Sequence, residues 1–198
     1  MTKTNTAHSP TPVATRRGFI AASGALLGGL AWWSTRRPAS AAAQSGPPAM
    51  VTIIPFTAAG VKQAPVTVAK IVKTDAEWQK QLTPIEFTVS RKEGTERPFT
   101  GNTWNLHDKG LYRCVGCDTA LYDSETKFES GTGWPSFWQP IAEENIVKST
   151  DHSFLMARTA ISCKRCDGHL GHVFEDGPKP TGLRYCMNSA AMKFAKRT

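Results

Sequence analysis

Two pairs of cysteines constrain the fold of this chain more than any other feature. Cys114-Val115-Gly116-Cys117 and Cys163-Lys164-Arg165-Cys166 each follow a short strand-like run, with 45 residues between the pairs. Two residues between cysteines let both thiolates bind one tetrahedral ion, and two such pairs complete a four-thiolate site. The spacing therefore predicts a structural zinc that ties together distant strands.

Two disulfides or a redox-active CxxC are the alternatives to zinc, because an exported chain could form disulfides. The presence of two pairs favours zinc over both alternatives. Four protein thiolates would leave no coordination position for water or substrate. The metal would then stabilise the fold, and any reaction would take place elsewhere.

The first 43 residues differ in composition from the rest of the chain. Arg16 and Arg17 precede a charge-free run of 18 residues, 18–35, and small residues follow at 38–43. This order predicts a cleaved export signal, and the paired arginines resemble the twin-arginine type. An uncleaved membrane anchor is the alternative, because 18 residues is at the lower edge of spanning length. We expect an exported, periplasmic or extracytoplasmic protein that contacts membrane only through this segment if it is uncleaved.

The positive charge of the chain lies mostly in that segment. The net charge is +8 for the whole chain, but residues 1–43 hold five basic and no acidic residues, which leaves +3 for 44–198. A basic isoelectric point that comes from a signal segment does not indicate nucleic-acid binding. We therefore expect no nucleic-acid partner, and a zinc-ribbon nucleic-acid binder is disfavoured.

Residues 44–73 are predicted to form a linker and an N-terminal β extension, because two β-branched runs, 51–56 and 66–72, are separated by a glycine turn. Thr74 and Glu77 have the spacing of a capping box, which predicts a helix over 75–82. Thr83-Pro84 would stop that helix.

Residues 74–198 are predicted to form the main domain. Short apolar runs alternate there with turn residues, which predicts a mainly antiparallel β domain packed as two sheets or a barrel. The predicted strands are 110–114, 119–122, 146–149, 153–161, 170–175, 183–188 and 191–195.

Cys186 is the one cysteine of five that the two pairs leave without a partner. In a strand, alternation places Arg184, Cys186 and Asn188 on one face, with Tyr185 and Met187 in the core. A cation-flanked thiol is predicted to favour the nucleophilic thiolate. A buried, inert cysteine is the alternative.

Two further stretches favour a reactive site. Trp134 lies between Gly133 and Pro135, a rigid turn that can hold an indole at a pocket wall. His169 and His172 follow the second cysteine pair. In a strand, His172 shares a face with Phe174, while His169 lies opposite unless Gly171 makes a bulge, so His172 is the better candidate for a proton-handling role.

Taken in order, these motifs resemble the methionine sulfoxide reductase B family. The resemblance covers roughly residues 75–194 and is carried by the two CxxC pairs, SGTGWPSF at 130–137, CDGHLGHVFEDGP at 166–178 and PTGLRYCMNSAA at 180–191. Members of this family reduce the R epimer of methionine sulfoxide. The resemblance implies a mainly β fold of two antiparallel sheets, with short peripheral helices and a structural zinc site remote from the active site.

The resemblance also implies roles for individual residues. The nucleophile that attacks the sulfoxide sulfur would be Cys186, with Arg184 supporting its thiolate. The polar residues that orient water or substrate and deliver a proton to the sulfoxide oxygen would be His169, His172 and Asn188. The apolar wall for the S-methyl group would consist of Trp134 and Phe174. Oxidised proteins would be the substrates, and we expect a monomer.

The chain departs from the family pattern at two places. Many members have a resolving cysteine at the position of Thr132, so we expect a one-cysteine cycle in which an external thiol reductant, thioredoxin-like or a small thiol, reduces Cys186. Many members have Ser-His-Gly-Met where this chain has Ser-Phe-Leu-Met at 153–156. A zinc-stabilised β module that binds a ligand without chemistry is the alternative function, and it predicts an unreactive Cys186.

Overall fold

The computed structural model of this protein describes residues 47–151 and 158–198. The predicted export signal at 1–43 and the departure at 153–156 lie outside the described residues. Within the described ranges, no helix is long and apolar enough to cross a membrane.

Both α-helices begin at capping boxes. Helix α1, Asp75–Gln81, confirms the predicted helix, since the Thr74 hydroxyl accepts a hydrogen bond from the Glu77 N–H and the Glu77 carboxylate accepts one from the Thr74 N–H. Helix α2, Pro84–Lys92, follows at once, with Thr83 and Glu86 forming a second box. The prediction that the first helix stops at Thr83-Pro84 is confirmed, since α1 ends at Gln81. The second helix was not predicted, although proline is well suited to a first turn, where its missing N–H costs nothing.

Eleven strands are described, and all their pairings are antiparallel. Their bounds are β1 Met50–Ile53, β2 Val66–Ala69, β3 Gly110–Cys114, β4 Ala120–Asp123, β5 Lys127–Phe128, β6 Ser136–Phe137, β7 Ile146–Asp151, β8 Arg158–Cys163, β9 His169–Phe174, β10 Arg184–Met187 and β11 Met192–Lys196. Short 3-10 turns cover Ser124–Thr126, Glu143–Asn145 and Ser189–Ala191. The mainly β architecture with short helices is confirmed. The predicted strands correspond to β3, β4 and β7 to β11, although the part of the 153–161 strand before 158 lies outside the described residues.

The strands form three sheets. A six-stranded sheet has the order β5-β6-β10-β9-β8-β7, a three-stranded sheet has the order β11-β3-β4, and β1 and β2 form a separate hairpin. The predicted pair of sheets thus corresponds to the two larger ones, and the N-terminal extension is a third, two-stranded sheet. Buried Asn145 holds that extension, because its side-chain amide exchanges hydrogen bonds with the N–H and carbonyl of Ile54 and donates another to the carbonyl of Ala120.

Aromatic side chains from the two larger sheets pack against each other in the core. The Tyr122 ring of β4 stacks on the Phe137 ring of β6 with centroids 4.4 Å apart, and Tyr112 of β3 meets the same ring edge-on at 4.8 Å. The Tyr122 hydroxyl also donates to the sulfur of Met187 on β10. These contacts fix β10, and therefore Cys186, relative to the three-stranded sheet.

Strand β9 contains a bulge. Ile161 of β8 pairs with Gly171, but the next residue, Ser162, pairs with His169, so Leu170 is an extra residue in β9. An extra residue shifts the alternation of side chains by one position. The bulge therefore allows His169 and His172 to approach each other, with ring centroids 5.2 Å apart.

Candidate active site and metal cluster

The four paired cysteines converge on one point. Their sulfur atoms all lie within 4.8 Å of one another, with Cys114 to Cys166 and Cys117 to Cys163 both at 3.5 Å. A zinc ion bound at about 2.3 Å by four thiolates would place them about 3.8 Å apart, so the cluster fits a tetrahedral ion. Hydrogen bonding to Cys114 lowers the pKa of Cys117, and the matching bond raises the pKa of Cys114. Thiols that share protons in this way are suited to exchanging them for a cation.

Each cysteine pair forms a hairpin turn with the same geometry. The N–H of Asp118 donates to the carbonyl of Cys114, and the N–H of Asp167 donates to that of Cys163, both at 2.9 Å. Both aspartates have left-handed backbones, with φ of 64° and 55°. The first turn joins β3 to β4 and the second joins β8 to β9, so a bound ion would link the two larger sheets.

Cys186 lies on β10, in the six-stranded sheet, opposite His172 of β9 and Ser136 of β6. Burial raises the pKa of the Cys186 thiol, and the positive charge of Arg184 and hydrogen bonds from Thr132 and Ser136 lower it only in part. The cation favours the thiolate as predicted, but burial outweighs it, so the net shift of the Cys186 pKa is upward. The alternation is confirmed, since Tyr185 and Met187 are fully buried.

A chain of hydroxyl groups leads to the sulfur of Cys186. The Ser136 hydroxyl donates to Ser130 at 2.8 Å, and the Ser130 and Thr132 oxygens are also 2.8 Å apart. The Thr132 oxygen lies 3.9 Å from the Cys186 sulfur. Residue 132 thus faces the Cys186 thiol directly.

The two histidines have different surroundings. Nε2 of His172 lies 2.9 Å from a carboxylate oxygen of Asp151, which orients the ring. His169 is 4% exposed and its Nε2 has no hydrogen-bond partner among the described residues. Burial lowers the pKa of His169 to about 4, so its ring is neutral near pH 7. His172 lines the pocket, whereas His169 is not in the lining and packs against the His172 ring.

Cys186 opens into a pocket of about 140 Å³. Five of the predicted site residues line it together, namely Trp134, His172, Phe174, Cys186 and Asn188. The side-chain amide of buried Asn188 accepts from the Glu96 N–H and donates to the carbonyl of Leu170, which leaves one N–H of its NH₂ group for another acceptor. None of the four paired cysteines lines the pocket.

Arg184 stands beside the pocket rather than in its lining. Its guanidinium makes two hydrogen bonds to the Asp176 carboxylate, at 2.9 and 2.7 Å, and lies 4.5 Å from the centre of the Phe174 ring. Asp176 therefore fixes the position of the Arg184 guanidinium, and the guanidinium packs against the Phe174 ring through a cation–π contact.

Sequence reasoning missed several residues near this site, among them Arg158, which lines the pocket and donates to the Asp151 carboxylate at 2.8 Å. Asp151, the partner of His172, is 21 positions away on β7, and nothing in the sequence pattern connects the two.

Glu96 lies within the part of the chain that the family resemblance covers, but no role was predicted for it, yet it is 6% exposed and bonds to both Asn188 and Trp134 of the pocket lining. In the sequence Glu96 stands between Thr95 and Arg97, and this polar stretch gives no sign that its side chain is buried.

Comparisons with known proteins agree with this geometry. The SelR domain model matches residues 82–196. A protein named peptide methionine sulfoxide reductase MsrB from Hahella chejuensis is 53% identical over 125 residues, which cover 63% of this chain and 90% of the relative. The protein of the same name from Agrobacterium fabrum is 52% identical over 129 residues, 65% of this chain and 96% of the relative. Peptide methionine sulfoxide reductase B1, chloroplastic, from Oryza sativa is 55% identical over 124 residues, 62% of this chain and 58% of the relative.

Proposed function

The chain belongs to the SelR-domain family of B-type peptide methionine sulfoxide reductases, and we propose that it reduces the R epimer of methionine sulfoxide in oxidised proteins through a sulfenic acid on Cys186. It is a peptide-methionine (R)-S-oxide reductase, an oxidoreductase that acts on sulfur. The observation that supports the mechanism best is the pocket, where apolar Trp134 and Phe174 and polar His172 and Asn188 line the same space as Cys186.

The pocket suits the two ends of a sulfoxide. The methyl group needs an apolar, polarisable surface, and sulfur packs well against aromatic rings such as Trp134 and Phe174. The oxygen needs a proton before its bond to sulfur breaks, and His172, oriented by Asp151, is positioned to act as the general acid. The remaining N–H of Asn188 can hold the oxygen. With these two features on fixed sides of the sulfur, only one epimer places its oxygen correctly.

The chemical step is an oxygen transfer that balances without metal. The Cys186 thiolate attacks the sulfoxide sulfur and forms an S–S bond, while the substrate oxygen takes up two protons and leaves as water when the S–O bond breaks. Water then attacks the Cys186 sulfur, loses a proton and breaks the S–S bond, which releases methionine and leaves the sulfenic acid on Cys186. Because burial raises the pKa of Cys186, the thiolate form depends on Arg184, Thr132 and Ser136. Arg184 can supply its charge because Asp176 holds the guanidinium in place.

Regeneration is proposed to use an external thiol. Thr132 replaces the usual resolving cysteine, and the other four cysteines are proposed to be zinc ligands, so no internal thiol remains for a disulfide. Two molecules of a small thiol, or one thioredoxin-like dithiol, would convert the sulfenic acid to the thiol and release water.

Zinc is proposed to occupy the four-cysteine cluster as a structural ion, held by Cys114, Cys117, Cys163 and Cys166. Residues 1–43 are proposed to be a twin-arginine export signal, 44–73 a linker with the N-terminal hairpin, and 74–198 the reductase domain. We further propose that the protein acts as a monomer outside the cytoplasm, in the periplasm or an equivalent compartment. The paired arginines, the charge-free run and the small residues of 1–43 support this assignment. Twin-arginine export carries folded proteins, so it would allow metal loading first.

Purified zinc-loaded protein tests the proposed function directly. With dithiothreitol it should consume the R epimer of dabsylated methionine sulfoxide and leave the S epimer, and Cys186→Ser should abolish the reaction. After one turnover without reductant, dimedone should label Cys186, and peptide mapping should find no disulfide. Equal use of both epimers, or full activity of Cys186→Ser, would refute the proposal.

A further inference from the structure

Glu96 connects the two sides of the pocket. Its backbone carbonyl accepts a hydrogen bond from the indole Nε1–H of Trp134 at 3.1 Å, and its backbone N–H donates to the side-chain oxygen of Asn188, also at 3.1 Å. Trp134 belongs to the turn before β6, whereas Asn188 follows β10. One residue outside the pocket-forming strands therefore touches both the apolar and the polar side of the site.

The side chain of Glu96 fixes that residue in place. Its two carboxylate oxygens accept the backbone N–H groups of Ser189 and Ala190, at 2.6 and 2.8 Å. Only 6% of Glu96 is exposed. A buried carboxylate is costly unless hydrogen bonds satisfy it, and here each oxygen has a backbone donor. The carboxylate thus anchors Glu96 to the two residues directly after Asn188.

The neighbouring backbone strengthens the same connection. The Phe99 N–H donates to the carbonyl of Gly133 at 2.8 Å, so the segment 96–99 holds the Trp134 turn at two points. Gly101 lies against the carboxylate, since a methyl carbon at Gly101 would be 2.7 Å from a Glu96 oxygen. The segment can lie this close only because residue 101 has no side chain.

We propose that Glu96 is a positioning residue that sets the width of the sulfoxide pocket, by holding the Trp134 wall at a fixed distance from Asn188. The inference rests on the proposed function. The pocket of about 140 Å³ has both Trp134 and Asn188 in its lining, so the distance between these two residues helps to determine how large an S-alkyl group can fit. Glu96 would thereby determine selectivity for the S-methyl group without touching the substrate.

Glu96→Gln is the informative substitution. The glutamine has the same length, but its NH₂ group cannot accept a hydrogen bond, so one of the two backbone N–H groups at Ser189 and Ala190 loses its acceptor. Glu86→Gln is the matched control. The Glu86 carboxylate also accepts a backbone N–H, that of Thr83 at 2.8 Å, but none of its hydrogen bonds reaches Trp134 or Asn188.

The decisive readout is the preference for methionine sulfoxide over ethionine sulfoxide, which carries one more methylene. In a tight pocket that methylene should reduce kcat/KM by about tenfold or more. In Glu96→Gln the preference should fall towards unity, with kcat/KM for methionine sulfoxide about tenfold lower and most of the change in KM. Glu86→Gln should leave the preference unchanged and change the melting temperature little, because the glutamine oxygen can still accept the Thr83 N–H.

Hydrogen exchange of the Trp134 indole proton provides a readout that needs no activity. The proton can be assigned in ¹⁵N-labelled full-length zinc-loaded protein by comparison with Trp134→Phe. It should exchange faster in Glu96→Gln than in wild type, and at the wild-type rate in Glu86→Gln.

The proposal is overturned if Glu96→Gln keeps both the methyl preference and the slow indole exchange, with activity lost only in proportion to unfolded protein. If the wild type does not reduce sulfoxide, the proposed function fails instead. The indole measurement then still decides whether Glu96 holds Trp134.

Discussion

Gly171→Ala should separate β9 from β10 at the reactive cysteine. A methyl carbon on residue 171 would lie 2.2 Å from the carbonyl oxygen of Cys186 and 2.9 Å from the α-carbon of Met187. Carbon and oxygen in contact normally stay about 3.3 Å apart, so the strands must part by about 1 Å. The two nearest atoms belong to the backbone, so rotation of the Met187 side chain, whose Cε lies 3.0 Å away, cannot relieve the overlap.

The expected effects follow from that displacement. A shift of about 1 Å at a reacting group can lower the rate about 100-fold, so kcat/KM should fall by about that factor. Overpacking of this kind costs about 1–3 kcal/mol of folding free energy. For a domain of this size each kcal/mol lowers the melting temperature by about 2–4 °C.

Sulfoxide reduction with dithiothreitol, measured well below the melting temperature, gives the activity, and circular dichroism gives the stability. Gly182→Ala is the matched control, because Gly182 has a φ of 72° but no atom within 4 Å of an added methyl carbon. It should lose stability through backbone strain and keep its activity. If Gly171→Ala has a kcat/KM close to that of Gly182→Ala, the close approach of the strands does not position Cys186 and the reasoning is refuted.

Three further predictions concern the thiols and the buried histidine. Thr132→Cys should form a disulfide with Cys186 after one turnover, because residue 132 faces that sulfur at 3.9 Å; dimedone labelling as strong as in the wild type would contradict this. Removing the metal with a chelator should lower the melting temperature and raise the number of titratable thiols from one to five, whereas a count that stays at one would indicate two disulfides instead of a metal site. Burial holds the pKa of His169 at about 4, below its ordinary 6.5. As the pH falls, the unfolded chain therefore binds a proton at His169 before the folded chain does. The stability that His169 contributes is therefore complete above about pH 6.5 and falls by about 3 kcal/mol as the pH drops to 4. Denaturant unfolding should show a shallower pH dependence in His169→Gln, and equal slopes would exclude this contribution.

The sequence predicted features that depend on local spacing. The two cysteine pairs, the capping box at Thr74 and the alternation around Cys186 each involve residues within a few positions, where backbone geometry alone decides which side chains meet. The family resemblance then named the residues that line the pocket.

The sequence did not predict features that depend on distant contacts. Strands β5 and β6 have two residues each, too few to produce a periodic pattern, and they form only because β10 provides an edge for β6. The raised pKa of Cys186 and the burial of Glu96 likewise come from packing between segments far apart in the chain. Helix α2 is different, because Thr83 and Glu86 carried the signal of a capping box, and Pro84 both follows the end of α1 and begins α2.

The bulge at Leu170 has a consequence for how such a site can arise or be lost. In a regular strand, residues 169 and 172 would point to opposite sides, whatever their identity. Two imidazole rings at these positions can therefore lie on the same side only if the strand contains one extra residue. A single substitution in β9 does not add a residue, so it cannot have this effect. A chain shortened by one residue here would retain every histidine, cysteine and tryptophan of the motif, and yet it would turn one imidazole of the pair away from the other.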